Sequence, residues 1–508
     1  MSVNDRMTQL TENFSKLPEI SDRDTKKSAI EEIKAKLETL PTDQLKEIAQ
    51  NVNYNLVLPE LASDDRELID PLCDILRKLF DTLEGGEVYS KYREALITAL
   101  RVNEVPVKTL TLRELTRTIQ DPIALSILCK DSYVLDLILK NVADEDLTIV
   151  QMSGVILKKI GEDASGLKIL CKQFHKDLTE LISKNSTVGF RVLEIIVDIS
   201  VHSKEGLQAC EEAGFLNNLI LLLSDNEILV QLNALELVTK LALHPEGLNY
   251  LERNDVLQEL AEKIVQAYED PLSSLLIPGL IKFFGNVAQN TPNEIFSNYP
   301  GVIAALFEVI EAENLQILPI ALDTLGHISV RVEGKYALDD LGDAMPRFLK
   351  KLADVLRRMP SEIKIRALNN LGLILKVEEF EQDNRILSLT KSWFDLLGDD
   401  PLDLIVSFCK QPFADIRGAG LEVLGIIALQ MWGQEYIANA PGLIEFLLDR
   451  NIESFKECKE AKFEVVRTLS RTTADIFDAN TIQRFKQFVN EGPMYVETIT
   501  DVATEGAL

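Results

Sequence analysis

A short phrase that returns about every 40 residues is the strongest constraint on the fold of this chain. Gly166-Leu167, Gly206-Leu207 and Gly247-Leu248 each open a segment with helical periodicity, at spacings of 40 and 41 residues. Glu333-Gly334 follows Glu246-Gly247 after 87 residues, which corresponds to two further periods. Helical units of roughly 40–47 residues are typical of armadillo and HEAT arrays. Because one such unit cannot bury its apolar face alone, the units are expected to stack.

The segment from Pro278 to Asn290 shows how one unit is built. At 100° per residue, its apolar side chains cover more than half of the helix circumference, and Lys282, Asn286 and Gln289 share the narrow edge that remains. The apolar members are Leu280, Ile281, Phe283, Phe284, Val287 and Ala288. A helix with so wide an apolar face must be covered on several sides. The sequence therefore predicts an all-α protein, an armadillo/HEAT-like right-handed α-solenoid.

The breaker residues suggest how this solenoid is divided. We expect N-terminal helical capping repeats over residues 1–119, central armadillo/HEAT-like repeats over 120–400, C-terminal helical repeats over 401–489 and an extended tail over 490–508. In the first part, a helix is predicted from Asp22 to Leu40, with its cap at Ser21, and another from Glu67 to Leu83. The last helices of three later units are predicted at Ile363 to Leu375, Ile416 to Leu429 and Ala461 to Ser470.

Aligning the last helix of each unit places polar side chains in two rows, one helical turn apart. The first row is Glu194, Glu236, Lys282, Asp323, Asn369 and Glu422, and the second row is Asp198, Lys240, Asn286 and His327. The last helix of an armadillo or HEAT unit lines the concave face, so the two rows are predicted to form a polar ladder along a binding groove. Four of the six first-row residues are acidic, which suits a basic ligand. The alternative is that they are simply the solvated edges of amphipathic helices.

The net charge restricts the classes of molecule that this protein can bind. The chain carries 53 Lys and Arg against 81 Asp and Glu, a net charge of −28. Such a surface repels nucleic acid and anionic membranes and favours a basic protein face. The sequence shows no signal peptide, no apolar run approaching the roughly 18 residues of a membrane span, and six scattered cysteines without a CxxC pair. We therefore expect a cytoplasmic protein, with the nucleus as a second compartment.

Catalytic and metal-binding patterns are weak. Gly418-Ala419-Gly420 has the wrong spacing for a phosphate loop and lies in a helical pattern with no strand before it. Cys171 and His175 stand four residues apart, but two ligands do not make a metal site. No nucleophile and base can be paired. The sequence predicts a protein that is not an enzyme and that needs no cofactor.

Several phrases resemble a known family. Pro278 to Asn286, Gln411-Pro412-Phe413, Leu396 to Leu402 and Glu491 to Val496 are similar to the 26S proteasome non-ATPase regulatory subunit 5 family, which consists of assembly chaperones for the base of the proteasome regulatory particle. The resemblance implies a solenoid without catalytic activity that binds the C-terminal domain of an AAA ATPase, the regulatory subunit 7 ATPase. It also implies a module with the subunit 4 ATPase and non-ATPase subunit 2, release before the mature particle is complete, and a monomer before partner binding.

The alternative is an armadillo-type scaffold or cargo adaptor, such as a nuclear-import receptor. Those receptors grip a basic peptide with repeated Trp and Asn pairs. At the level of Asn286, however, this chain has Asp198, Lys240 and His327. Its two tryptophans, Trp393 and Trp432, lie outside both rows. The sequence thus favours the chaperone over the import receptor.

Overall fold

The computed structural model describes residues 3–63, 65–267, 273–312, 315–472 and 475–495, and within these ranges it contains helices and no strand. The chain divides into two compact units, Met1–Tyr250 and Leu251–Leu508. Short helical turns lie between the longer helices. The 3₁₀ turns are Leu17–Glu19, Leu58–Leu61, Ser273–Leu276 and Glu379–Glu381, and a π-helical turn spans Ile169–Gln173.

The helices of the first unit run from near the amino terminus to the unit boundary. They are α1 (Val3–Lys16), α2 (Arg23–Glu38), α3 (Thr42–Asn51), α4 (Tyr54–Val57), α5 (Arg66–Phe80), α6 (Glu87–Leu100), α7 (Val105–Thr118), α8 (Pro122–Leu128), α9 (Ser132–Asn141), α10 (Leu147–Glu162), α11 (Ala164–Lys168), α12 (His175–Lys184), α13 (Ser186–His202), α14 (Lys204–Glu212), α15 (Phe215–Leu222) and α16 (Ile228–Ala242). The next helix, α17 (Pro245–Arg253), contains the boundary.

The second unit continues in the same style. Its helices are α18 (Val256–Ala267), α19 (Ile277–Asn290), α20 (Pro292–Asn298), α21 (Pro300–Glu311), α22 (Leu318–Ile328), α23 (Val332–Asp339), α24 (Ala344–Arg358), α25 (Ser361–Leu375), α26 (Asn384–Asp395), α27 (Pro401–Cys409), α28 (Ala414–Ala428), α29 (Met431–Asn439), α30 (Leu443–Leu448), α31 (Lys456–Leu469) and α32 (Ala479–Glu491).

These helices form three-helix repeats in which the third helix is the stacking element. In the first unit α10 packs against α13 and α13 against α16, and in the second unit α19, α22, α25, α28 and α31 pack in succession. We call these third helices the ladder helices. The first and second helices of neighbouring repeats also pack on their counterparts, as α20 does on α23 and α21 on α24. The predicted all-α solenoid is therefore confirmed.

The structure explains why glycine marks each repeat. A Cβ at Gly166, Gly206, Gly247 or Gly334 would lie 2.1, 2.3, 2.1 or 1.9 Å from a carbonyl oxygen in the last turns of the preceding ladder helix. A Cβ at Gly433, in a phrase that the sequence analysis did not find, would likewise lie 2.0 Å from the carbonyl oxygen of Ile427. Each new repeat thus starts directly against the end of the last one, where no side chain fits.

Some of the described helices begin at a side chain that caps the free backbone amides. The carboxylate of Asp22 accepts a hydrogen bond from the Thr25 amide at 2.9 Å, so the predicted cap at Ser21 is wrong by one residue. The helix predicted from Glu67 to Leu83 already ends at Phe80. Other caps are Asp121, Asp131, Asp146, Asp163, Asn185, Ser203, Asp383, Asp400 and Asp478. Some of the many aspartates of this chain therefore serve as helix caps.

The carboxyl end of the described chain is held by one arginine. The predicted tail begins at residue 490, but α32 continues to Glu491. Arg450 donates hydrogen bonds of 2.8 Å to the carbonyl oxygens of Gly492 and Phe488, and its guanidinium lies 5.2 Å from the ring of Tyr495. The remainder of the predicted tail, residues 496–508, lies outside the described residues.

Candidate functional site: the polar ladder

Five of the six first-row residues are exposed on the ladder helices. Glu194 on α13 and Glu236 on α16 are exposed in the first unit, and Lys282, Asn369 and Glu422 are exposed in the second. None of these five side chains makes a hydrogen bond or ion pair with another residue in the described part of the chain. Their neighbours on the same helices, such as Leu193 or Phe283, are fully buried. The free side chains are therefore available to a ligand.

The second-row charges of the first unit pair with other residues of the ladder helices. The Asp198 carboxylate is only 16% exposed, accepts a hydrogen bond from the Lys158 Nζ at 3.2 Å, and forms an ion pair with Lys240. These three residues belong to the consecutive ladder helices α10, α13 and α16. Asp198 and Lys240 therefore satisfy each other rather than facing a ligand as two independent charges. The sequence analysis missed Lys158, although it stands one 40-residue repeat before Asp198.

In the second unit, Asp323 differs from the other first-row residues. Its half-buried carboxylate accepts a hydrogen bond from Arg366 of the next ladder helix at 2.8 Å. Burial raises the pKa of the Asp323 carboxyl, against the opposing attraction of Arg366 and His327. Arg366 was also missed by the sequence analysis, although it lies three residues before Asn369. Asp323 is thus a ladder residue that also links α22 to α25 through its hydrogen bond with Arg366.

The remaining second-row residues, His327 and Asn286, belong to the second unit. His327 is exposed one turn after Asp323, and Asn286 is half-buried on α19. On α25 and α28, Leu373 and Ile426 occupy the equivalent level and are half-buried. In the second unit the ladder therefore changes from polar to apolar along its second row, while the first row stays polar. The arrangement can hold a ligand with both charged and apolar groups.

Cys171 with His175, and Gly418 with Gly420, are the candidates that the sequence offered for a metal site and a phosphate loop. No group of three or more His, Cys, Asp or Glu side chains that could hold a metal ion occurs in the ranges that the structure covers. The Nε2 of His175 lies 3.0 Å from the Ala213 carbonyl oxygen. Gly418 and Gly420 lie inside α28, where Gly420 packs against the backbone of Cys409. Among the described helices, none is both long and apolar enough to cross a bilayer.

The stacked repeats and the exposed polar edge define the class: this is an α-solenoid protein of helical repeats. A chain from the solved structure of Kap95p with RanGDP, from work on nuclear import complex assembly, has a TM-score of 0.59 with it, at 12% identity over 95% of this chain and 66% of that one. At that identity the similarity concerns the fold alone.

Sequence similarity is more specific. The family model described as "Proteasome non-ATPase 26S subunit" matches residues 10–507. The human 26S proteasome non-ATPase regulatory subunit 5 is 32% identical over 93% of this chain and 94% of its own length, and the bovine protein of the same name is 32% identical over 97% and 98%. The chain belongs to the family of 26S proteasome non-ATPase regulatory subunit 5. The resemblance found in the sequence is confirmed, and with it a role associated with the proteasome.

Proposed function

We propose that this protein is a non-catalytic chaperone for assembly of the base of the 26S regulatory particle. It binds the C-terminal domain of an AAA ATPase, the regulatory subunit 7 ATPase, and leaves before the mature particle is complete. The subunit 4 ATPase and non-ATPase subunit 2 join the same module. The proposed compartments are the cytoplasm and the nucleus. Membership of the non-ATPase subunit 5 family supports this proposal, since the family match covers residues 10–507 and the human protein of that name is similar over 93% of this chain.

The observation that carries the proposal is the set of unpaired acids on adjacent ladder helices. Glu194 and Glu236 lie exposed on α13 and α16, which pack against each other. Glu422 occupies the same level on α28. Carboxylates without internal partners strengthen association with a basic surface and speed the encounter. We therefore propose that a basic face of the ATPase domain contacts first-row acids of the ladder helices, with Glu194 and Glu236 in the first unit and Glu422 in the second tested separately.

A cargo adaptor of the nuclear-import type is the second candidate, and the tryptophans count against it. Trp393 is 1% exposed and Trp432 is 5% exposed. The indole Nε1 of Trp432 donates a hydrogen bond of 2.8 Å to the amide oxygen of Gln430. Both rings are therefore part of the packed interior, and neither can stack on the side chains of an extended peptide.

The test is charge reversal on the first row. Glu236→Lys and Glu422→Lys are each measured for binding of the recombinant C-terminal domain of the regulatory subunit 7 ATPase by calorimetry at low salt. We expect each variant to bind about tenfold more weakly, which is about 1.4 kcal/mol. Asp323→Lys is less suitable, because it would place a cation beside Arg366 and disturb helix packing.

Glu205→Lys on α14 and Glu333→Lys on α23 are the matched controls. Both residues are exposed, both changes alter the net charge equally, and neither helix is a ladder helix. Equal affinities for ladder and control variants would contradict placement on the ladder. A pull-down of the wild-type chain from cytosol separates the two functions: ATPase base subunits without core-particle subunits agree with the chaperone, whereas import factors or basic cargo contradict it.

A further inference from the structure

A second candidate binding site lies in the first unit, on helices other than the ladder helices. α11, the π-helical turn Ile169–Gln173 and the start of α12 form one wall, and α14 forms the other. Between them is a cavity of about 620 Å³. The apolar part of its lining consists of small or aliphatic side chains: Ala164, Leu167, Cys171, Ala209 and Ala213. We call this the lysine-rimmed cavity, for the residues at its mouth.

Three exposed lysines lie on one wall of this cavity. Lys168, Lys172 and Lys176 follow one another at intervals of four residues and are all exposed. In the described ranges Lys168 and Lys172 have no ion pair, while Lys176 has an exposed contact of 3.6 Å with Glu180. The acid on the rim, Glu212, accepts a hydrogen bond from Gln208 at 2.9 Å. A bound anion would offset the mutual repulsion of these three like charges.

The wall is held in place by His175. Its ring stacks on Phe215 with centroids 5.2 Å apart, and its Nε2 lies 3.0 Å from the Ala213 carbonyl oxygen. The start of α12 is thereby fixed to the loop after α14. A cavity with such a fixed wall loses little conformational freedom when it is filled.

We propose that the lysine-rimmed cavity binds an acidic segment of a partner protein, with an apolar side chain in the cavity and carboxylates on the lysines. The volume lies within the range of known ligand pockets, which is about 300–1,000 Å³. The apolar lining suits an apolar group, and the three lysines of one wall suit carboxylates beside it. Since the chain carries a net charge of −28, nucleic acid and anionic membranes would be repelled by the rest of the surface. A short acidic peptide avoids that repulsion because it contacts the rim alone.

The proposal is tested on the full chain with a fluorescein-labelled peptide that carries a central phenylalanine between aspartates. Fluorescence anisotropy at low salt measures its affinity for the wild type, for Lys168→Glu/Lys172→Glu and for Ala209→Leu, which fills the cavity without changing the charge. We expect both variants to lose at least about tenfold in affinity, a loss that charge-assisted pairs and a filled pocket each produce readily. Lys184→Glu/Lys204→Glu is the matched control, since both of these lysines are exposed in the same unit and outside the cavity.

Cys171 supplies a readout that needs no fluorophore. It is half-buried in the cavity lining, whereas Cys73, Cys129, Cys210, Cys409 and Cys458 are buried. Bound peptide should slow labelling of Cys171 by N-ethylmaleimide at least about tenfold, because it covers the thiol.

Three results would overturn the proposal: unchanged affinity of Lys168→Glu/Lys172→Glu, equal affinity for a peptide with serine in place of phenylalanine, or tighter binding to phosphatidylserine vesicles than to the peptide. Binding of the ATPase domain to the ladder is measured with the same variants. We expect it to be unchanged, so failure here is distinguishable from failure of the proposed function.

Discussion

Replacing Gly334 by alanine tests the physical explanation of the repeat. Gly334 is the third residue of α23, and a Cβ there would lie 1.9 Å from the carbonyl oxygen of Ile328, near the end of the preceding ladder helix. Carbon and oxygen atoms that are not bonded need more than 3 Å. The start of α23 would therefore have to move away from α22 by about 1 Å or more.

The displacement has a cost that can be worked out from the neighbours. Overpacking of a tight contact costs roughly 1–3 kcal/mol. Lys335, the next residue, is fully buried and donates hydrogen bonds to the carbonyl oxygens of Ser329 and Leu373, the second at 2.9 Å. Weakening these bonds adds about 1 kcal/mol. Alanine offsets about 1 kcal/mol by its higher helix propensity. The net loss for Gly334→Ala is therefore about 1–3 kcal/mol.

The control is Gly418→Ala in α28. A Cβ at Gly418 meets nothing within 4 Å, so only helix propensity changes, and this variant should gain up to about 1 kcal/mol. Thermal unfolding followed by circular dichroism at 222 nm compares the two. For a unit of this size 1 kcal/mol corresponds to about 2–4 °C. With the control's gain included, the two variants differ by about 2–4 kcal/mol, and we expect Gly334→Ala to melt about 4–16 °C lower than Gly418→Ala in otherwise identical conditions.

The refuting result is a Gly334→Ala protein that melts as high as Gly418→Ala. It would mean that the start of α23 can move without cost, so that the recurring glycine reflects something other than close approach to the ladder helix. A loss that is equal in both variants would show instead that alanine itself is unfavourable in these helices. Only a loss confined to Gly334→Ala agrees with the geometry.

Two further predictions concern buried charges. Burial raises the pKa of Glu114, which is 1% exposed beside Arg117, to about 7. The contribution of the protonated Glu114 carboxyl to the unfolding free energy is therefore complete below the unfolded pKa near 4.5 and is lost as the pH rises through 7. The unfolding free energy of the wild type, relative to Glu114→Gln, should therefore fall by up to about 3 kcal/mol between pH 4.5 and 7.5 in urea titrations, and a constant difference would contradict it. Arg417→Met leaves the buried Glu453, 3.0 Å away, without its partner and should lower the unfolding free energy by about 3 kcal/mol in the same assay. The control Arg467→Met, at an exposed ion pair, should lower it by under about 0.5 kcal/mol. Similar losses in both variants would contradict the stronger role of the buried pair.

The sequence was sufficient for the repeat because its determinants are local. Gly206 and Gly247 recur since each repeat meets the previous one in the same way, so one steric requirement is written into the chain many times. The exposed edge of each ladder helix also follows from helical periodicity, which placed Glu194, Glu236 and Glu422 correctly. Helix starts were less certain, because Ser21 and Asp22 are both good caps and only the backbone conformation decides between them.

Pairings between repeats could not be predicted in the same way. Whether Lys158 reaches Asp198 depends on the offset of α10 against α13, which periodicity within one helix does not contain. The same applies to Arg366, which was one turn away from a residue already assigned to the ladder. The lysine-rimmed cavity was also missed, since it requires both the π-helical turn Ile169–Gln173 and the small residues of α14 on the facing wall.

These pairings change what the ladder can recognise. Because Asp198 and Lys240 neutralise each other, the second row of the first unit adds little net charge toward a ligand. The first row does the opposite, since Glu194 and Glu236 have no internal partner in the described residues. Discrimination by charge must therefore come from the first row, while the paired residues hold the ladder helices in register. A partner that binds by charge should thus be sensitive to charge reversal at Glu236 and much less sensitive to Lys240→Gln, which leaves Asp198 paired with Lys158.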